Sequence, residues 1–202
     1  MDADWSVELG RNDEGLEFPW SLPDGSQRYI DLQRHPGRLP EIPEAALFPE
    51  LGEFLRAINQ ENSPWLTAKC DVWLDDELSE AEALYEAGLK LGSYVDLVAT
   101  DDAARFSFER HEKWVKSAAR VLSADGEIPV ACEFIVRRCW YHTEVSFLRA
   151  GGDAATPGDT NPVPGFYVTF YLFGYGDIEP QARECWAEGL QRVTAMVAAL
   201  AP

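Results

Sequence analysis

His142 and Glu144 stand two residues apart in a segment that reads as a strand, so both side chains fall on one face. A carboxylate that orients an imidazole is an arrangement used for proton transfer and for metal binding. The chain has three histidines, and the other two, His35 and His111, belong to different elements. Cys139 and His142 are offset by three on that strand and point to opposite faces, which weakens a thiolate–imidazole pair. Asp75-Asp76-Glu77 offers oxygen ligands, but without the alternating ligands and central glycine of a calcium loop it reads as a solvated turn. Gly174-Tyr175-Gly176 joins a strand to a helix, a place where phosphates bind. Asp177 and Glu179 follow it and would repel an anion, so they serve the helix dipole instead. Arg137 and Arg138 are adjacent and face opposite ways, and one of them reads as an ion-pair partner within the acidic surface. No G-x-x-x-x-G-K-[ST], G-x-S-x-G or H-E-x-x-H pattern occurs.

Charge gives a stronger signal. The 17 Lys and Arg stand against 35 Asp and Glu, a net charge of −18. Such a field disfavours nucleic acid and anionic lipid, which require a positive surface, and it accelerates capture of basic partners. The acids cluster. Residues 71–102 hold ten of them and a single base, Lys90. If Leu66, Ala68, Cys70, Val72 and Leu74 face the core, Trp65 and Trp73 point the other way, beside Thr67, Lys69 and Asp71. A tryptophan ringed by carboxylates is the pattern of an interface hot spot with a charged rim. The expected partner-binding residues are Asp71, Trp73, Asp75, Asp76, Glu77, Glu80, Asp101 and Asp102. In size, charge and aromatic content the chain is similar to bacterial immunity proteins, small acidic cytoplasmic domains that neutralise toxin nucleases. The likeness is one of class, and no residue is carried over from it.

These residues need elements to hold them. Residues 1–43 are rich in Pro, Gly and Asp, with Phe18-Pro19-Trp20 and His35-Pro36-Gly37 among them. They read as an irregular arm packed on the body through Trp5, Phe18, Trp20, Tyr29 and Ile30. A helix is expected from Pro49 to Asn59, with Leu51, Phe54, Leu55 and Ile58 inward. A strand at 65–74 follows. Ser79-Glu80-Ala81-Glu82 reads as a capping box opening a helix that buries Ala81, Leu84, Tyr85 and Gly88 and stops at Gly92. Strands are expected at 93–99 and, briefly, at 104–108. A helix over 109–123 buries His111, Trp114, Val115, Ala118 and Leu122. Strands at 128–136 and 143–149 come next, then a loop over 151–165. The run 166–173 (Phe-Tyr-Val-Thr-Phe-Tyr-Leu-Phe) is apolar on both faces and predicts a central strand covered on both sides. A last helix starts near Asp177, with Ala182, Trp186, Gly189, Val193, Met196 and Leu200 inward.

The sequence therefore predicts an α+β fold: a mainly antiparallel or mixed sheet of five or six strands, about four helices on its faces, and the arm at 1–43 ahead of a single domain at 44–202. The 46% hydrophobic content suits a folded core. No apolar run approaches a membrane span, and the acidic start does not resemble a signal peptide, so a cytoplasmic protein is expected. Four cysteines are too few for a disulfide scaffold and are expected to be reduced thiols. The expected function is non-catalytic capture of a basic protein, as an immunity protein does, with no cofactor, metal, nucleic acid or membrane. The alternative is an enzyme or small-ligand binder with a pocket near the 151–165 loop, His142 and Glu144.

Overall fold

A computed structural model describes residues 1–79, 82, 84–142 and 162–200. Its centre is a six-stranded mixed sheet. The strands are β1 (Asp2–Glu8), β2 (Gly15–Phe18), β3 (Trp65–Asp75), β4 (Leu89–Ala99), β5 (Val130–Tyr141) and β6 (Val163–Gly176). The order is β1-β5-β6-β4-β3, with β2 also on β5 beyond the end of β1. β3–β4, β4–β6 and β5–β6 are antiparallel, whereas β1 and β2 run parallel to β5. This is the α+β fold expected from the sequence, with the mixed form of the sheet.

The helices are α1 (Pro43–Leu47), α2 (Pro49–Ile58), α3 (Asp102–Arg105), α4 (Phe108–Ser123) and α5 (Glu179–Ala199), with short 3-10 turns at Pro36–Glu41 and Leu84–Glu86. Their boundaries follow local chemistry. Pro49 and Pro180 sit in first turns, where the missing N–H costs nothing. Ser107 caps α4 by accepting a hydrogen bond from the Arg110 N–H. α2, α4 and α5 all pack on one face of the sheet, forming a core with Val95, Leu97, Phe134, Val168, Phe170 and Leu172. His111 lies in this core, fully buried at Trp65, with Nδ1 on the Ser107 carbonyl at 3.0 Å.

Gly174 and Gly176 have a packing role. A Cβ on Gly174 would come within 2.3 Å of the Ala182 carbonyl oxygen and the Trp186 N–H nitrogen. The bare backbone lets the first turns of α5 lie directly on β6, and Trp186 Nε1 then donates to Ser93 Oγ at 2.8 Å.

Among the described residues the opposite face carries no helix. One end of it is closed by the arm: Leu16 and Phe18 of β2, with Trp20 and Tyr29, pack on Val98, Cys139, Tyr141 and Tyr167. The other end has no such cover among the described residues. β6 is thus central but covered on both sides for only part of its length, and Tyr171 and Phe173 remain half-buried.

Several expectations are corrected. Residues 2–8, expected as irregular, form β1, where Ala3 and Trp5 join the core and Asp2, Asp4 and Glu8 take the other parity. The helix from 79 does not form. Ser79 and Glu82 do bond as a capping pair, with Ser79 Oγ donating to Glu82 Oε2 at 2.6 Å. However, Leu89–Gly92 are taken by β4, where Lys90–Gly92 are paired by both β3 and β6 and Leu89 by β6, and these ladders outweigh a local preference. Gly92 is therefore a strand residue rather than a helix stop. The strand expected at 104–108 is instead α3 and the start of α4. β5 runs on to Tyr141, through the turn expected after 136. The strand at 143–149 and the 151–165 loop lie outside the described residues.

Candidate functional site

A register break in β3 decides which side chains reach the helix-free face. Between Thr67 and Cys70 the pairing with β4 slips, so Ala68 and Lys69 stand against Asp96 alone. Before the break Trp65 faces the helices, stacked at a tilt on Trp114 with centroids 4.7 Å apart, while Leu66 and Ala68 join the arm cluster. After it Cys70 and Val72 pack on the core, and Asp71, Trp73 and Asp75 face away. The expected orientation of Trp73 holds and that of Trp65 is reversed, because unbroken alternation cannot register an inserted residue.

The register then lays out rows across the open end. Trp73 is opposite Gly92, which is opposite Phe173, which is opposite Ala131 and then Asp2. The next row runs Asp71, Tyr94, Tyr171, Glu133, Asp4. Gly92 leaves space that the Trp73 ring fills, since a Cβ there would lie 2.6 Å from Trp73 Cε2. The Trp73 ring meets Tyr171 and Phe173 edge-on, at 6.5 and 6.1 Å, and those two rings stack within 5° of parallel. Tyr94 leans on Tyr171 at 5.9 Å. Trp73, Tyr94, Tyr171 and Phe173 are all half-buried, supported chiefly by one another.

Carboxylates border these aromatics. Asp71 lies on the β3 side, Asp2, Asp4 and Glu133 on the far side, and Asp75 and Glu82 at the end of the hairpin. Lys90 is neutralised, with Nζ at 2.7 Å from Glu82 and 3.5 Å from Asp75 and packed over the Phe173 ring. Hydrogen bonds from Lys90 and Ser79 hold the Glu82 carboxyl down at about 2. Tyr85 Oη donates to Asp2 at 2.7 Å and reaches the Val130 carbonyl at 2.9 Å, so the hairpin end is tied to β1 and β5.

Of the expected partner-binding residues, Asp71, Trp73 and Asp75 come together on this face. Asp76 and Glu77 are exposed in the turn that follows. Glu80 lies outside the described residues. Asp101 and Asp102 are removed from the patch: nine positions of β4 separate the Asp75 and Trp65 pairings, about 30 Å. There Asp101 accepts from the Ala104 N–H and pairs with Arg110 at 2.9 Å, and Asp102 pairs with Arg105. Asp4, Glu133, Tyr94, Tyr171 and Phe173 join the site without having been singled out. The alternation of Asp2, Asp4, Ser6 and Glu8, and of Tyr171, Phe173 and Tyr175, carried that information.

A second feature of the same face is a cavity of about 350 Å³ around Asp96, lined also by Glu14, Lys69, Tyr94, Arg137, Tyr167 and Tyr171. Asp96 is 5% exposed, and burial pushes its carboxyl up to about 6. Thr169 Oγ1 donates to Asp96 Oδ1 at 2.6 Å, and Arg137 donates to Thr169 at 3.3 Å. Arg137 is the ion-pair partner expected of the two arginines, bound to Glu8 at 2.8 Å and Glu14 at 3.1 Å, while Arg138 donates to the Leu9 carbonyl. A larger cleft of about 800 Å³ lies between the arm and the β3 edge, bounded by Trp20, Ile30, Arg38 and Glu44, and it meets the smaller cavity at Lys69 and Tyr94.

His142 sits at the end of β5 with Nε2 3.0 Å from Glu17 on β2, an exposed pair, and lines neither cavity. Its expected partner Glu144 lies outside the described residues. Burial raises the Cys139 thiol to about 12, so at neutral pH it is not a nucleophile. The four cysteines are unpaired thiols. Among the described residues, no three of His, Cys, Asp and Glu converge as metal ligands, and no helix is long and apolar enough to cross a membrane. Comparisons of the chain with protein-family models, with curated proteins and with solved structures return no match.

Proposed function

We propose that this protein is a non-catalytic binder that captures a basic protein partner on the open end of its helix-free sheet face, as bacterial immunity proteins capture toxins in the cytoplasm. The observation that carries this reading is the run Trp73, Phe173, Tyr171, Tyr94, half-buried on a sheet face that carries no helix among the described residues and bordered by Asp71, Asp4 and Glu133. Aromatic side chains offer large contact area at small entropic cost, and the acids around them steer and orient a cationic surface. The net charge of −18 extends that attraction beyond contact range at low salt.

The reading is tested by affinity capture from the cell of origin at low ionic strength, comparing the native protein with Trp73→Ala and Asp71→Lys. A basic protein should be retained by the native chain, released as salt rises, and lost from both variants. Retention of the same protein by both variants would remove this face from the reading, and the absence of any basic protein would remove the reading itself.

A further inference from the structure

The acidic border accounts for attraction at the surface but not for the carboxylate beneath it. Asp96 lies opposite the break in β3, enclosed by Thr169 on the neighbouring strand and by the cavity. Among the described residues its Oδ1 takes one hydrogen bond, from Thr169, and its Oδ2 takes none. The nearby cations leave it under-compensated. Arg137 is engaged by Glu8 and Glu14. The Lys69 ammonium stands over the Trp20 ring at 5.1 Å and makes no ion pair within 4 Å among the described residues. A buried carboxylate so placed is costly unless a further charge or donor arrives.

We propose that this cavity is a socket for a basic side chain of the captured partner, the ammonium of a lysine or the guanidinium of an arginine bound to Asp96 Oδ2 beside the Tyr94 ring. The inference rests on the reading of a basic protein partner. Three features favour a cation. The free oxygen is an acceptor and needs a donor. Tyr94 lines the cavity and offers an aromatic ring, which attracts cations, whereas the Tyr171 ring already carries the Arg137 guanidinium at 5.8 Å. An anion entering the cavity would meet both Asp96 and Glu14. About 350 Å³ accommodates one long basic side chain. Lys69 is the built-in competitor, because its charge opposes any incoming cation and would welcome an anion.

Lys69 therefore supplies a test of sign. The probes are ethylguanidinium chloride and n-butylammonium chloride, with sodium propionate as the anion, followed by amide chemical shifts at constant ionic strength. Both cations should give saturable shifts at Tyr94–Leu97 and Val168–Tyr171, and propionate none. Asp96→Asn should weaken cation binding at least tenfold, and Lys69→Met should strengthen it severalfold. The proposal is overturned if cation binding survives Asp96→Asn, if neither cation saturates, or if propionate binds and is lost in Lys69→Met. Tyr94→Leu offers an independent check should Asp96→Asn fold poorly, since it removes a ring face and should also weaken the cations. If the partner's retention depends on Trp73 and Asp71 but not on Asp96, the socket fails and the reading stands. If the cations bind at Asp96 but no basic protein is captured, the reading fails and the socket remains.

Discussion

The Trp73 ring lies flat across Gly92, its Cε2 atom 2.6 Å from where a Cβ would be. A residue without a side chain on β4 thus sets the position of a large ring on β3, and that ring in turn meets Tyr171 and Phe173. Gly92→Ala places a methyl group where the ring now sits. Because Trp73 is half-buried at the edge of the sheet, it can swing outward rather than unfold the strand. The expected result is a folded protein whose Trp73 indole is more accessible to acrylamide than in the native chain, with partner affinity reduced by about 30-fold or more, the scale of a lost hot spot. Unchanged quenching and unchanged affinity would mean that the ring does not depend on the glycine.

Asp71 and Asp75 lie four residues apart on the same face of β3, on either side of Trp73, and should behave differently when reversed. Asp71 is exposed, and among the described residues its side chain accepts only from the neighbouring Val72 N–H. Asp71→Lys should shift stability by no more than about 0.5 kcal/mol, as surface changes do, while weakening partner binding in a salt-dependent way. Asp75 instead holds Lys90, whose side chain is 9% exposed. Asp75→Lys sets two ammonium groups together over Phe173 and leaves Glu82 as the remaining counter-charge. A cost of about 1–2 kcal/mol is expected, read as a lower denaturation midpoint. Equal stability for the two variants would show that the Lys90 pair contributes nothing to the fold.

The contrast between these two aspartates shows where the sequence was readable. The 71–102 cluster drew attention to β3, and the period-2 pattern of that strand placed Trp73 on the face away from the helices. Trp65 was misplaced because a bulge carries no signature in apolar alternation: Ala68 and Lys69 look like ordinary strand residues. The helix expected from 79 is overridden: its capping pair forms, yet Lys90–Gly92 find ladder partners on both sides. β1 was legible in the alternation of Asp2 to Glu8 but hidden by its acidity, which is tolerated at an edge and on an open face. Asp96 gave no local signal, since its burial arises from strands distant in sequence.

Gly174 tests the other face. Its missing side chain lets α5 approach until backbone meets backbone, so neither partner can yield by turning a side chain. Gly174→Ala should cost about 3 kcal/mol or more, at the upper end for overpacking. For a chain of this size that is a fall in Tm on the order of 10 °C. Far-ultraviolet circular dichroism during a thermal scan reads it directly. A Tm within about 2 °C of the native value would mean that α5 sits farther from β6 than described.

Asp96 makes a prediction whose sign is unusual for an aspartate. Its carboxyl titrates near 6 in the fold, against about 4 in an unfolded chain. The folded state therefore holds the proton more tightly. Stability owed to Asp96 is present below about pH 4, declines as pH rises through 6, and is absent above it, a difference of about 3 kcal/mol. Asp96→Asn removes the titration. Relative to the native protein, the variant should gain stability between pH 4 and pH 7, and the gain should level off above pH 7. Taking the difference cancels groups common to both chains, including His111, whose buried imidazole is held below its usual range and loses stability as pH falls. Urea denaturation at pH 4.5, 6 and 7.5 measures it. A difference between the two proteins that stays flat across that range would mean that Asp96 is solvated or paired, and the socket would then lose its uncompensated acceptor.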